Sequence, residues 1–235
     1  MRWTSRTALL QTDATKRLRS NACTRGPRLM GNRARGDIVT RAPLPILLRR
    51  ADRMGMAAPV YWTADMVRAL PDDGNKYECV YGELLVSPSP RPWHEIVLLR
   101  LHWQLDLYLH REPVGLLLGP LGDISWSPDT LVQPDRYVVT VDEMRSLEWA
   151  KVKTLLLAVE VLSPSSSRAD RFTKRRLYQE VGIPVYWVVD ADAHEIEVWT
   201  PEERFPIVER ERVIWEPAGA RTPCVIDLAE LFRPL

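Results

Sequence analysis

The chain has 235 residues, 46% of them hydrophobic, which is enough to bury the core of one large domain or two small ones. No apolar run approaches the roughly 20 residues that a membrane span requires, so the sequence predicts a soluble protein without a membrane partner. The three cysteines lie far apart and form no CxxC pair. This excludes a local zinc motif or a disulfide framework and fits a reducing, cytoplasmic compartment.

The charge divides the chain into two parts. Residues 1–55 contain 13 basic and 3 acidic residues, a balance of +10, whereas the remaining residues contain 19 and 28, a balance of −9. The first part has little apolar periodicity, which predicts no packed core. We therefore expect a basic, disordered extension over residues 1–56, with translation starting at Met54 or Met56 as one explanation. A nucleic-acid-binding arm and a targeting segment are alternatives.

Short helical and strand patterns alternate from residue 57 onward and predict one α/β domain over residues 57–235. Before the centre of this domain, the predicted elements are a helix capped by Thr63 and ending near Leu70, a hairpin over residues 77–86 with Gly82 at its turn, a long helix over residues 93–110, one or two short strands over residues 114–126, and a strand over residues 131–141 interrupted by Pro134-Asp135. For the long helix, we expect Ile96, Leu99, Trp103 and Leu107 on the buried side.

The stretch from Thr154 to Pro164 is the centre of the domain. It is a nearly unbroken apolar run, typical of a strand buried on both faces, and it contains a single carboxylate, Glu160. An unpaired carboxylate in such a strand costs several kcal/mol. Glu160 therefore needs a partner, a proton or a metal ion.

The residues after this strand predict a βαβ unit. A Ser-Pro-Ser-rich loop leads into a helix over residues 169–181, Gly182 follows as a C-cap, and a second buried strand begins near Val185. At about 100° per residue, Asp170, Lys174 and Leu177 share the helix face that packs on the sheet. Ligands of such sheets bind beyond the carboxyl ends of the strands, so Lys174 and Glu160 point to the same place.

Several of these segments resemble one protein family. The chain resembles the Uma-two family of restriction endonuclease-like proteins, within the PD-(D/E)XK nuclease superfamily, over roughly residues 60–200. The matching segments are Tyr77-Glu78 through Gly82-Glu83, the Ser-Pro-rich connector that ends near His94, Gln133-Pro134-Asp135, Val159-Glu160-Val161-Leu162-Ser163-Pro164-Ser165, Asp170 and Lys174 through Tyr178, Gly182-Ile183-Pro184, and Tyr186-Trp187-Val188-Val189-Asp190.

This resemblance implies a restriction-endonuclease-like core with a central mixed β-sheet flanked by helices. It also implies hydrolysis of phosphodiester bonds in nucleic acid, DNA being the expected substrate, with magnesium or manganese as cofactor. The implied site residues are Asp135, Glu160 and Lys174, with Asp135 and Glu160 as metal ligands. Glu83 is a candidate third ligand. The position two residues after Glu160 is Leu162 where the superfamily pattern has lysine, so the role of the lysine falls on Lys174.

Each assignment has an alternative. Glu160 and Lys174 could form a structural ion pair, Asp135 could end a strand, and Lys174 could be an exposed partner of Asp170. Glu83 could be a solvated hairpin residue. His94 favours a capping or packing role.

Three functions remain open at this stage. The first is the metal-dependent nuclease, which could act as a homodimer. The second is an inactive binding module with the same fold, and the third is a metal-dependent hydrolase of a non-nucleic substrate. The domain's balance of −9 weighs against nucleic acid, because affinity for phosphates comes largely from Lys and Arg. A basic cleft formed by the four helix arginines at positions 168, 171, 175 and 176 could compensate for it.

Overall fold

A six-stranded mixed sheet is the framework of the computed structural model, which describes residues 60–120 and 122–235. The elements are, in chain order, α1 (Ala64–Arg68), β1 (Lys76–Val80), β2 (Glu83–Ser87), α2 (Pro92–Arg111), β3 (Leu116–Leu118), β4 (Arg136–Val139), α3 (Val141–Met144), a 3₁₀ turn (Trp149–Lys151), β5 (Leu155–Val161), a π-helical turn (Ala169–Lys174), α4 (Arg175–Glu180), β6 (Tyr186–Asp190), β7 (Glu195–Trp199), β8 (Ile207–Glu209), β9 (Arg212–Trp215), β10 (Cys224–Asp227) and α5 (Leu228–Leu231). The predictions for residues 1–56 lie outside the described residues.

The sheet has the spatial order β3-β4-β5-β6-β7-β8. Strands β5 and β6 pair in parallel, with Glu160 opposite Val188, and the other neighbouring pairs are antiparallel. The sheet is therefore mixed, and helices pack against it, so the predicted fold class is confirmed. The predicted βαβ unit is also confirmed: it consists of β5, the helical segment Ala169–Glu180 and β6, with Gly182 at φ +77° just past the helix.

A separate hairpin, β1-β2, lies beside the six-stranded sheet. Its two-residue loop, Tyr81-Gly82, has positive φ angles of 54° and 76°, a conformation that continues the right-handed twist of the flanking strands. An antiparallel bridge between Cys79 and Leu131 attaches the hairpin to the segment that leads into β4. This attachment holds the side chains of β1 next to Pro134-Asp135.

Two hydrophobic clusters include residues of the six-stranded sheet, and a third, smaller one joins α1 to β1 and Leu131. The larger one includes α2, α5 and residues of β5 and β6, such as Val159 and Trp187. The second includes Tyr178 of α4 and the alternate residues of the same strands, such as Ala158 and Val188. Because successive strand residues point to opposite faces, the central strands carry apolar side chains on both sides.

The predicted orientation of α2 is wrong. The buried residues are Val97, Leu98, Leu101, Leu105, Tyr108 and Leu109, whereas Leu99, Trp103 and Leu107 are exposed by 54%, 66% and 61%. The helix carries two apolar stripes at helical spacing, so periodicity alone does not determine which stripe packs on the sheet.

Membrane insertion was not expected from the sequence. Across residues 60–120 and 122–235, no helix has the length and apolar character that a bilayer crossing requires.

Candidate active site at the carboxyl end of strand β5

Asp135 and Glu160 meet where β4 begins and β5 ends. Arg136 pairs with Val159 in the ladder, so the residues next to them, Asp135 and Glu160, lie side by side. The backbone N–H of Asp135 lies 3.4 Å from Glu160 Oε2, and the N–H of Val161 donates to Asp135 Oδ2 at 2.9 Å. Pro134 interrupts the strand at this point, and the interruption frees the Asp135 carboxylate to turn back toward β5.

Lys174 lies against Glu160, as predicted. Its Nζ is 2.9 Å from Glu160 Oε1, 2.7 Å from Glu78 Oε2 and 3.4 Å from Asp170 Oδ1. The amine is buried, with the whole residue only 2% exposed. Asp170 and Lys174 lie in the π-helical turn Ala169–Lys174, a distortion that is frequent at functional sites, and both side chains are buried.

Two further cationic groups approach from the hairpin and from α2. Lys76 Nζ lies 3.1 Å from Asp135 Oδ1 and 3.8 Å from Glu160 Oε2, and it donates to the carbonyl oxygen of Gln133. His94 Nε2 lies 3.3 Å from Asp135 Oδ2. The ammonium of Lys76 therefore lies between the two acids that the sequence predicts as metal ligands.

These groups border a cleft with a volume of about 420 Å³. Asp135, Glu160, Asp170, Lys76 and His94 line it. Glu78 and Lys174 do not line it, although both contact groups that do. Asp135, Glu160 and Asp170 therefore form an acidic floor of the cleft. The buried Lys174 contacts this floor without lining the cleft.

We refer to Glu78, Asp135, Glu160, Asp170, Lys76 and Lys174 as the charge cluster. It contains four carboxyl groups and two amines, so full ionisation would leave it with two excess negative charges. All four carboxyl groups are buried. An excess negative charge in a buried site favours either a bound proton or a bound cation.

The pKa values of the four carboxyl groups move in opposite directions. Burial raises the pKa of Glu160 to about 8, and it also raises the pKa of Asp170. Burial acts in the same direction on Asp135 and Glu78, but nearby cations outweigh it and lower both pKa values: Lys76 and His94 act on Asp135, and Lys174 and Lys76 act on Glu78. Near neutral pH, Glu160 is therefore the carboxyl group that holds a proton.

The cationic groups respond to the same acids. Burial lowers the pKa of Lys174, but Glu160, Glu78 and Asp170 together raise it well above its usual value. Lys76 behaves similarly, with Glu78 as the main acid that raises its pKa against burial. Burial also opposes the charge of His94, yet its contact with Asp135 raises its pKa. Both lysines therefore remain charged at physiological pH.

Comparison with known proteins identifies the family. A family model described as "Uma2: Putative restriction endonuclease" matches residues 64–221, which is more than half of the chain. The chain belongs to the Uma2 (Uma-two) family. This confirms the resemblance that the sequence analysis describes. The residues that match the family model include all six members of the charge cluster.

A solved structure shares the fold of this Uma2 protein. It is the crystal structure of a putative nuclease belonging to DUF820 from Anabaena variabilis, and it matches with a TM-score of 0.62 at 18% sequence identity. The match covers 73% of this chain and 97% of the other. At this identity the match supports the fold. No curated protein matches the chain.

A divalent metal fits the donor chemistry of the cleft. Asp135 and Glu160 supply carboxylate oxygens at its floor, the charge cluster has excess negative charge, and the buried Asp170 Oδ1 accepts no hydrogen bond from any described residue. Within the described ranges, no group of three or more His, Cys, Asp or Glu residues forms a metal cage. Magnesium needs only one or two carboxylates, with water and phosphate oxygens completing its coordination.

Glu83 does not join the site. It is the first residue of β2, it is exposed, and it does not line the cleft. The hairpin glutamate that does join the site is Glu78, five positions before Glu83, and its Oε1 accepts the N–H of Gln133 at 2.7 Å. The hairpin turn separates the two glutamates and directs Glu78 inward and Glu83 outward.

The proposed basic cleft of helix arginines does not form in the described part of the chain. Arg171 binds Glu197 and Asp190, Arg175 binds Gln179 and lies over the Trp199 ring, and Arg176 binds Glu180. None of these three arginines lines the cleft, nor does Arg168. The basic side chains that line it are Lys76, Arg136 and His94.

Sequence analysis missed Lys76 and Glu78 as site residues and favoured a packing role for His94. One signal was present for the first two. In a strand, residues two apart point to the same face, so Lys76 and Glu78 had to lie together on one side of β1. Glu78 is followed by Cys79 and Val80, both fully buried, and a buried glutamate requires a cation.

Proposed function

We propose that the chain is a metal-dependent endonuclease that hydrolyses phosphodiester bonds in nucleic acid, with DNA as the expected substrate. The observation that carries this proposal is the acidic floor of the cleft. Asp135 and Glu160 converge there from two adjacent strands, and the charge cluster around them has two more carboxyl groups than amines. Membership of a family described as restriction endonucleases supports the same reaction.

Asp135 and Glu160 would hold the magnesium or manganese ion. Bound there, a divalent cation supplies positive charge to the phosphate under attack and lowers the pKa of water. The surrounding residues fix the two acids in place. Lys174 and the Tyr178 hydroxyl both contact Glu160 Oε1, so Oε2 is left facing Asp135 and the cleft. We therefore propose Lys174 as a positioning residue, since its amine does not reach the cleft.

Lys76 is the amine that can contact substrate. It lines the cleft beside both acids, and its raised pKa keeps the ammonium charged at neutral pH. A charged donor at this place stabilises the negative charge that develops on phosphate oxygens during hydrolysis. His94 holds Asp135 Oδ2 from the opposite side to Lys76 on Oδ1, and this restricts the orientation of the carboxylate.

A cleavage assay tests the proposal. Plasmid and single-stranded DNA would be incubated with the full chain in magnesium, in manganese and in a chelator, beside Asp135→Asn. We expect cleavage by the wild type in either metal and none in the chelator or by the variant. Absence of cleavage of any DNA or RNA substrate by a folded wild type would contradict a nuclease function.

Thermal melting distinguishes the alternatives. We expect magnesium or manganese to raise the Tm of the wild type but not that of an Asp135→Ala, Glu160→Ala double variant. If metal raised the Tm and no nucleic acid were cleaved, a hydrolase of another substrate would be favoured. If neither response were seen, the chain would be an inactive module with the same fold.

A further inference from the structure

The α2 stripe, defined as Leu99, Trp103 and Leu107, is an apolar surface that residues 60–120 and 122–235 leave uncovered. These side chains are exposed by 54%, 66% and 61%, and they occupy consecutive turns on one face of a 20-residue helix. Single exposed apolar residues are ordinary, but a contiguous row centred on a tryptophan is typical of an interaction surface. None of the three lines the cleft, so the surface serves something other than the proposed reaction.

The residues at the two ends of the stripe indicate its partner. Extending the same four-residue spacing in both directions gives Glu95, Leu99, Trp103, Leu107 and Arg111, and both end residues are exposed. In this row a leucine lies on each side of Trp103, and the two end residues, Glu95 and Arg111, carry opposite charges. Such a row is complementary to itself when a second copy runs antiparallel.

We propose that α2 is the interface of a homodimer, in which two copies of the helix pack antiparallel about a two-fold axis at Trp103. The axis places Leu99 of one copy against Leu107 of the other, as an isologous contact requires. It also places Glu95 of one copy at the same end as Arg111 of the other. Helices that pack along their four-residue ridges cross at about −50°, the commonest class in globular proteins.

The size of the surface sets the expected strength. A stable interface buries about 800 Å² on each partner. Three side chains cannot supply this area alone, so the half-buried neighbours Ile96 and Arg100 must contribute beside the stripe. We therefore expect a dimer that dissociates on dilution. The two clefts would lie at opposite ends of the helix pair, because His94 and Glu95 line the cleft at the start of α2.

Sedimentation equilibrium of the full chain over a range of concentrations tests the dimer. We expect a monomer–dimer equilibrium for the wild type and a dissociation constant at least tenfold larger for Trp103→Glu, since interface tryptophans carry much of the binding energy. Phe205→Glu is the matched control, because Phe205 is also an exposed aromatic, at 79%, and lies in the connection between β7 and β8. It should leave the dissociation constant unchanged.

A charge exchange tests the antiparallel geometry. Glu95→Arg and Arg111→Glu should each weaken the dimer, and the double variant should restore it, while circular dichroism confirms that every variant folds. A wild type that is monomeric at all concentrations, or a dimer that Trp103→Glu leaves intact, would overturn the proposal. Failure of the double variant to restore the dimer would overturn the antiparallel arrangement. The measured mass does not depend on cleavage, so these results stand whether or not the nuclease function is correct.

Discussion

Two charge networks include neighbouring residues of one helical segment, and they differ in how completely their carboxyl groups are hydrogen-bonded. Lys174 belongs to the charge cluster, and Arg171, three residues earlier, joins Glu197 and Asp190. In the arginine network, Glu197 Oε2 accepts the indole N–H of Trp199, and Asp190 Oδ1 accepts the N–H groups of Asp192 and Ala193. The four carboxyl groups of the charge cluster share four donors, the N–H groups of Gln133, Asp135 and Val161 and the Tyr178 hydroxyl, which is fewer for each carboxyl group. Asp170 Oδ1 accepts no hydrogen bond from the described residues.

The difference supports the proposal that the arginine network is structural and the charge cluster is functional. Both networks have two carboxyl groups for each cation, but the arginine network has more donors for each carboxyl group and is partly exposed to water. Burial raises the pKa of Asp190, but its backbone hydrogen bonds and Arg171 outweigh burial and lower that pKa. In contrast, burial raises the pKa of Glu160 to about 8. An unsatisfied negative site beside a cleft can bind a cation, and a satisfied one has no free capacity.

The largest expected effect comes from changing one glutamate in each network. Glu160→Gln removes a proposed metal ligand but also relieves excess buried charge. We therefore expect cleavage to fall by at least about 10³-fold while the Tm stays equal or rises. Glu197→Gln should retain cleavage and lower the Tm, because it breaks the contact with Arg171. Plasmid cleavage and thermal melting measure both, and equal activity losses in the two variants would remove the distinction between the networks.

The next effect concerns stability. Lys174→Met would leave three buried carboxyl groups around an apolar side chain, and breaking a buried ion pair in this way costs about 3–5 kcal/mol. Arg171→Met should cost less, because the arginine network is partly exposed and water can replace the lost contacts. Urea denaturation at pH 8 gives both free energies of unfolding. If Arg171→Met lowered the free energy of unfolding more than Lys174→Met, the arginine network and not the charge cluster would contain the more important buried ion pairs.

The pH dependence of stability should reveal the excess charge directly. The folded protein raises the pKa of Glu160 from 4.5 to about 8, so in metal-free buffer it binds a proton that the unfolded chain releases. This contribution is fully present below pH 4.5 and is lost as the pH rises through about 8. His94, whose pKa is also raised, acts in the same direction.

The measurement is the free energy of unfolding between pH 6 and 9 with a chelator present. We expect stability to fall across this window in the wild type and the fall to be shallower in Glu160→Gln, which keeps His94 but lacks the titrating carboxyl group. Parallel pH profiles for the two proteins would show that Glu160 is not the group that holds the proton.

The smallest effect distinguishes the two glutamates of the hairpin. Glu78→Gln weakens the contact that holds Lys174, and loss of a group that orients a metal ligand typically reduces metal affinity or activity about 10–100-fold. Glu83→Gln lies at an exposed position and should change the free energy of unfolding by less than about 0.5 kcal/mol and leave cleavage unchanged. If Glu83→Gln lowered the cleavage rate as much as Glu78→Gln, Glu83 would have to be counted among the site residues.

The sequence predicted those parts of the site that depend on local pattern. Glu160 stood out because it was the single carboxylate in an apolar strand, and helical periodicity placed Lys174 beside it, as observed. Asp135 could be chosen only from the family resemblance, since Pro-Asp is a common turn. The partnership of Asp135 with Glu160 depends on the pairing of β4 with β5, which is a long-range property.

Long-range packing also explains the failures. Lys76 and Glu78 belong to a hairpin outside the main sheet, and nothing in their local pattern shows that the hairpin docks against β4. The orientation of α2 was mistaken because two stripes of the helix are apolar. Only the packing against the sheet reveals that the Trp103 stripe is left uncovered.

The position of the β1-β2 hairpin has a consequence for the net charge at the cleft. The hairpin contributes one amine, Lys76, and one carboxyl group, Glu78, so its contribution to the charge cluster sums to zero. If the hairpin moved away, the cluster would retain three carboxyl groups and one amine: Asp135, Glu160, Asp170 and Lys174. Full ionisation of these groups gives the same excess of two negative charges. Movements that widen or narrow the cleft at this edge can therefore change access for a substrate without altering the attraction that the remaining residues exert on a cation.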